Sequence, residues 1–235
     1  MPVLSRKWNF IYFLNPRTGS TMLEHVLIEE LGGERFPAVS DHAEKMATKH
    51  LTLRDVRARR LLKKCELDGL IKVTSVRHPF AKAVSDWQGG KKFFRENKFP
   101  ELRPENELAE HSESLEDYLR LILLAPLPNK LRFKLLHIVP NRAFSMLARI
   151  YGNLRRVNPR NHLKDPIDFV FRTEHLDEDF ETFLALIKGP KKLSLPLINQ
   201  TESINQSTDS YHTKLTKTWL TSMYSDILLT YYGES

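Results

Sequence analysis

The residues best equipped for chemistry sit in two short loops and one dipeptide. Pro16, Arg17, Thr18, Gly19, Ser20 and Thr21 lie between an apolar run, Phe10 to Leu14, and a stretch where Met22, Leu23, Val26, Leu27 and Leu31 recur at three- and four-residue spacing. Arg17 offers a fixed cation, Gly19 lets the backbone close on a ligand, and Thr18, Ser20 and Thr21 offer hydroxyls. A helix starting near Ser20 aims its first unpaired N–H groups, and the positive end of its dipole, into that loop. Such a loop binds an oxyanion, phosphate or sulfate. The plainer alternative is a strand-to-helix turn in which Ser20 or Thr21 only caps the helix.

A second basic loop, Arg77-His78-Pro79, follows the apolar run Ile71 to Val76, with Ser85 about two helical turns further on. A cation there, with that hydroxyl, suits a second phosphate. The rival role for Arg77 is an ion pair with a structural carboxylate. The dipeptide is Lys49-His50, which closes a polar loop just ahead of a capped helix. Imidazole titrates near neutrality and is the usual general base. The chain has nine histidines, so residue type alone does not choose among them. His42 and Glu44 are the nearest rivals, and a surface histidine without a role is the plain alternative for His50.

These residues need a frame. Phe10 to Leu14 and Ile71 to Val76 lack polar alternation, as strands buried on both faces do, and Ile167 to Phe171 reads as a third. Helical periods fall between them. Thr52 and Asp55 form a capping-box pair before a helix to about Lys64, and Asp68 and Gly69 turn the chain. Pro79 suits a first helical position, and Ser114 caps a helix over Leu115 to Leu123. Further helices are expected from about Arg142 to Tyr151, from near Asp177, and from about Thr213 to Thr230. Alternating strands and helices imply a parallel sheet whose ligands bind beyond the carboxyl ends of the strands, where Arg17 and Arg77 fall. Residues 89–113 are charged and hold Pro100 and Pro104, so they read as a mobile or substrate-facing excursion.

At 235 residues the chain is expected to form one α/β domain, 1–235. Its net charge of +7 and pI near 9.4 favour anionic ligands. Cys65, the single cysteine, excludes an intramolecular disulfide and reads as a buried or inert thiol in a reducing compartment. The first strand starts too early for a signal segment, and no apolar run is long enough to span a bilayer, so a soluble, cytoplasmic protein is expected.

The segment PRTGSTML resembles the 5′-phosphosulfate loop of sulfotransferases that use 3′-phosphoadenosine 5′-phosphosulfate (PAPS), usually P-K-T-G-S/T-S/T, with Arg17 where that family usually has Lys. VRHPFAKAVSDW resembles the family's 3′-phosphate segment, V-R-N/D-P-F/Y followed by R/K-x-x-S and an aromatic. KHLTLRDVRARR, DFVFRTEHLDEDF and the Tyr-rich C-terminal helix with Asp226 are similar to further segments of the compact single-domain branch. The resemblance implies a P-loop-like three-layer α/β fold with a central, mostly parallel sheet flanked by helices. It implies sulfuryl transfer from PAPS to a hydroxyl or amine without a metal, leaving adenosine 3′,5′-bisphosphate.

By the same resemblance Arg17, Thr18, Gly19, Ser20, Thr21 and Met22 hold the 5′ end of the nucleotide, and Arg77 and Ser85 hold its 3′-phosphate. Trp87 shelves the adenine, unless it is simply core. His50 is the base, with Arg17 and Lys49 assisting. Glu174 either orients Arg172 or a backbone amide, or sits in a structural ion pair. The expected acceptor is a small molecule, with neither nucleic acid nor membrane as partner. Two other classes compete: a P-loop-type nucleotide or small-molecule kinase, disfavoured by the missing Gly-Lys-Ser/Thr ending, and a noncatalytic basic nucleic-acid binder, disfavoured by the mixing of acidic with basic residues.

Overall fold

The computed structural model describes residues 1–41, 44–45, 48–95, 108–124, 127–157, 162–190, 193, 195 and 208–234. In chain order the elements are β1 (Val3–Ser5), β2 (Phe10–Phe13), α1 (Ser20–Glu29), β3 (Glu34–Arg35), α2 (Leu53–Ala58), α3 (Lys64–Gly69), β4 (Ile71–Val76) and α4 (Pro79–Arg95). They continue with α5 (Leu115–Leu123), α6 (Asn129–Leu135), α7 (Asn141–Val157), β5 (Phe169–Arg172), α8 (Leu176–Leu186) and α9 (Lys214–Ile227). Two compact units emerge: residues 1–77 with the described residues from 162 to 195, and residues 78–157 with 208–234.

The first unit is built on a five-stranded sheet in the order β3-β1-β2-β4-β5. The three expected strands, β2, β4 and β5, run parallel, with Phe10 opposite Ile71 and Val73 opposite Phe169. Their apolar runs are buried as double-faced strands require: Phe10, Ile11, Tyr12 and Phe13 are all fully inaccessible. Beyond them β1 and β3 add antiparallel strands, Val3 facing Tyr12 on one side and Arg35 on the other. Three and two residues long, these carry too little pattern for a periodicity to show. One face of the sheet meets α1 and α8 through Leu23, Val26, Leu27, Phe180 and Phe183; the other meets Leu53, Val56 and Leu67 of α2 and α3.

Helix ends explain two departures from expectation. Thr52 and Asp55 do form a reciprocal capping box, but α2 stops at Ala58, and Arg60 takes a left-handed φ of 52°. The basic stretch therefore breaks into two short helices, with Asp68 and Gly69 inside α3. Cys65 lies on α3 and is exposed, so of the two readings, buried or inert, burial does not hold.

The second unit is helical. α4 begins at Pro79 as expected, yet it continues through Gly89 and Gly90 to Arg95, because Ala83, Val84 and Trp87 keep it anchored in the core. At the far side of the expected excursion Leu108 and Ala109 are buried, while 96–107 lie outside the described residues. Ser114 caps α5 by accepting from the Asp117 amide. α9 packs Trp219, Leu220 and Met223 against Phe144 and Ala148 of α7, and the Trp219 Nε1–H donates to Ser145 Oγ at 3.0 Å. α7 reaches Val157, further than its apolar period indicates, and α6 is a helix that two flanking prolines conceal in the sequence.

Candidate active site

β2 delivers the chain into the anion loop, and α1 begins at Ser20 on its far side. Gly19 is the N-cap, in the left-handed region at φ 69°, ψ 9°. A Cβ there would meet only ordinary contacts, Thr173 Cγ2 at 3.7 Å and Leu176 Cδ2 at 3.8 Å, so backbone conformation rather than crowding is what calls for glycine. Arg17 is left-handed too, at φ 63°, a strained choice for a residue with a Cβ. Left-handed residues thus stand on either side of Thr18, and left-handed turns of this kind are where successive backbone N–H groups can form anion-binding nests. The helix is not capped by a side chain, so the N–H groups of Ser20 and Thr21 are not consumed by a cap of that kind.

Thr18 and Met22 also tie the loop to its frame. Thr18 is fully buried, and its hydroxyl donates to the Asn15 carbonyl at 2.7 Å. The Ser75 hydroxyl, 2.6 Å away, must then donate to Thr18, and the Tyr12 hydroxyl, 2.8 Å from Ser75, must donate to Ser75. Burial pushes the Tyr12 hydroxyl well above the usual range, so it stays a donor. Asn15 closes the ring by donating Nδ2 to the Ser75 carbonyl at 2.9 Å. The Thr18 hydroxyl thus braces the loop against β4. The Met22 N–H returns to the Gly19 carbonyl at 3.1 Å, and its side chain is partly buried against the core between sheet and helix.

His50 comes to the same end of the sheet. Its Nδ1 lies 3.0 Å from the carbonyl oxygen of Leu14, the residue just past β2. A carbonyl only accepts, so Nδ1 carries a proton, and in the neutral ring that tautomer leaves the lone pair on Nε2. Lys49, beside it, is half-buried. Glu44 is exposed, and His42 lies outside the described residues. Behind His50 stands His162, 5% exposed, whose pKa falls to about 4, chiefly through burial and further through His50, with Asp55 opposing.

Arg77 follows β4, and its Nε is buried without a hydrogen-bond partner. The nearest ion-pair partner is the Glu174 carboxylate, 3.9 Å from that nitrogen. An inward donor with no acceptor is what an anion-binding arginine presents before its ligand arrives. Glu174 therefore pairs with Arg77, in line with the ion-pair alternative for this carboxylate. Arg172 is held by Asp179, which accepts its backbone N–H at 2.6 Å, its Nε at 3.1 Å and its Nη2 at 2.7 Å. Arg172 neutralises a carboxylate at the start of α8 and braces the fold.

In the second unit Ser85 is half-buried on α4. Trp87 is only 8% exposed, its Nε1–H donates to Ser112 Oγ at 2.8 Å, and Lys91 Nζ lies over its ring at 4.6 Å. It is a core residue, in keeping with the second of the two readings of Trp87.

The model of the sulfotransferase family matches residues 3–232. The chain belongs to the sulfotransferase family. No curated protein and no solved structure matches it. The supporting residues of this sulfotransferase were the hardest to foresee. Ser75 lies inside an apolar strand, Asp179 inside an acidic helix start, and the acceptor of His50 is a backbone carbonyl that no side-chain pattern announces. A buried serine between Thr74 and Val76 was the only available signal. Among the described residues no group of His, Cys, Asp or Glu side chains could hold a metal ion, and no helix is long and apolar enough to cross a membrane.

Proposed function

We propose that this sulfotransferase moves a sulfuryl group from PAPS to a hydroxyl or amine of a small-molecule acceptor, releasing adenosine 3′,5′-bisphosphate. The observation that carries the reading is the loop at the end of β2, where two left-handed residues and a helix start without a side-chain cap follow Leu14, whose carbonyl is hydrogen-bonded to His50 Nδ1. The orphaned Arg77 Nε fits a second phosphate. When bound, PAPS supplies an activated sulfuryl group on a stable leaving group. Nε2 of His50 takes the acceptor proton as the acceptor oxygen or nitrogen bonds to sulfur and the bond to the 5′-phosphate breaks. The electron pair of that bond leaves with the phosphate, whose growing charge falls to Arg17 and the N–H groups around Gly19, Ser20 and Thr21. Lys49 helps neutralise the group in transfer. Ser85 is assigned to the nucleotide on the resemblance alone. A reducing compartment such as the cytoplasm suits a chain with one cysteine.

Titration calorimetry with adenosine 3′,5′-bisphosphate, ATP and a single-stranded oligonucleotide tests the reading. Tight binding of the bisphosphate alone is expected. Preference for ATP would favour a kinase, and preference for the oligonucleotide a nucleic-acid binder.

A further inference from the structure

The positive charge of the chain is unevenly spread. Between Asp117 and Asp165 there is no acidic residue, yet that stretch holds ten of the 36 lysines and arginines. The whole positive excess of +7 is therefore contained in it, and the remainder of the chain is net negative. Arg120 and Arg132 are used internally, the first on Glu116 at 2.7 Å and the second on the Leu127 carbonyl at 2.9 Å. Lys134, Arg142 and Arg149 instead reach solvent from α6 and α7.

The same two helices, with the turn joining them, expose large apolar side chains. Ile138 is 73% and Met146 59% accessible, and Leu131 and Ile150 are also exposed. Arg142, Met146, Arg149 and Ile150 follow one another at four, three and one positions, which places them on one stripe of α7. Phe144 and Ala148, on the opposite stripe, are fully buried. Interspersed cations and apolar side chains on a surface helix match an interface with anionic headgroups above acyl chains. A nucleic acid or sulfated polymer would use the cations but would gain nothing from Ile138, Met146 and Ile150.

We propose that the outer face of α6 and α7 docks peripherally on an anionic phospholipid bilayer. The contact needs no spanning segment and revises the expectation of no membrane partner. Each cation held near an anionic leaflet strengthens binding roughly fivefold. Cosedimentation of the full chain with vesicles of phosphatidylcholine, with and without phosphatidylserine, tests it. Binding is expected only with phosphatidylserine and should weaken with salt. The Arg142→Glu, Arg149→Glu pair should lower it by roughly 25-fold or more, and the Met146→Glu, Ile150→Glu pair by about tenfold or more. All four positions are exposed, and an unchanged circular dichroism spectrum will show that each variant is folded. No binding to phosphatidylserine vesicles, or equal binding by the Met146→Glu, Ile150→Glu variant, would overturn the proposal. So would tighter binding to an oligonucleotide that depends on the arginines alone, or a wild-type dimer that this apolar pair dissociates, which would give the face to a nucleic acid or to a second copy.

Discussion

His50 donates its Nδ1 proton to the carbonyl oxygen of Leu14 across 3.0 Å, tying a loop histidine to the strand that feeds the anion loop. The bond fixes the tautomer and the plane of the ring together. With Nδ1 engaged, Nε2 is the nitrogen that can take a proton. His50→Ala and His50→Gln are expected to lower kcat by about two to four orders of magnitude while nucleotide affinity stays within a few-fold. Initial rates with a proven acceptor at saturating PAPS, beside calorimetry, check this; full activity in both variants would move the base to His42 or Glu44.

Arg17 combines the charge proposed for the transfer with a backbone angle it does not favour. Arg17→Lys should retain measurable transfer, whereas Arg17→Ala should lose rate more than nucleotide affinity, as a contact made mainly in the transition state does. Arg17→Gly separates the two properties: it relieves the left-handed strain, about 1 kcal/mol, and removes the charge. A variant that melts higher yet transfers nothing is the expected result, read by calorimetric Tm and by rate.

Arg77 should decide between nucleotides with and without a 3′-phosphate. The bisphosphate is expected to bind far more tightly than AMP, by on the order of a few kcal/mol, and Arg77→Ala should bring the two affinities together. An unchanged ratio would return Arg77 to a purely structural pairing with Glu174.

The hydroxyl chain from Tyr12 through Ser75 and Thr18 to Asn15 has one donor per link, so deleting any member strands its neighbours. Thr18→Val keeps the shape but leaves the Ser75 hydroxyl without its acceptor and the Asn15 carbonyl without its donor. Destabilisation of about 1–3 kcal/mol is expected, with Thr18→Ser much milder. Urea unfolding of the two variants tests it.

His162 adds a pH dependence to stability. Its folded pKa of about 4 lies below the ordinary value of 6.5, so the unfolded chain takes up a proton first as pH falls. Its contribution is fully present above 6.5 and is lost as pH drops toward about 4, on the order of 3 kcal/mol at most. Replacing His162 with Phe should flatten the stability curve across that window, as measured by chemical unfolding at several pH values.

Much of this was legible in the chain because it rests on local rules. The long buried strands β2 and β4, the capping box at Thr52 and the start of α1 each follow from a few adjacent residues. What was hidden depends on distant partners or on very short elements. Two- and three-residue strands have no period to read. The burial of Trp87 and Thr18 is set by groups 25 and 57 positions away, Ser112 and Ser75. Asp179 lies seven positions beyond Arg172, and only the fold shows that it accepts from both the backbone and the guanidinium of that arginine.

Thr18 and Arg17 are neighbours with opposite duties. Thr18 is turned inward and sets the contour of the loop through Asn15 and Ser75, so the contour does not depend on which cation stands at position 17. Form and charge are encoded by separate letters. Exchange between Arg and Lys at position 17 can therefore proceed without redrawing the binding surface, whereas a change at Thr18 would have to be accompanied by changes in two strands at once.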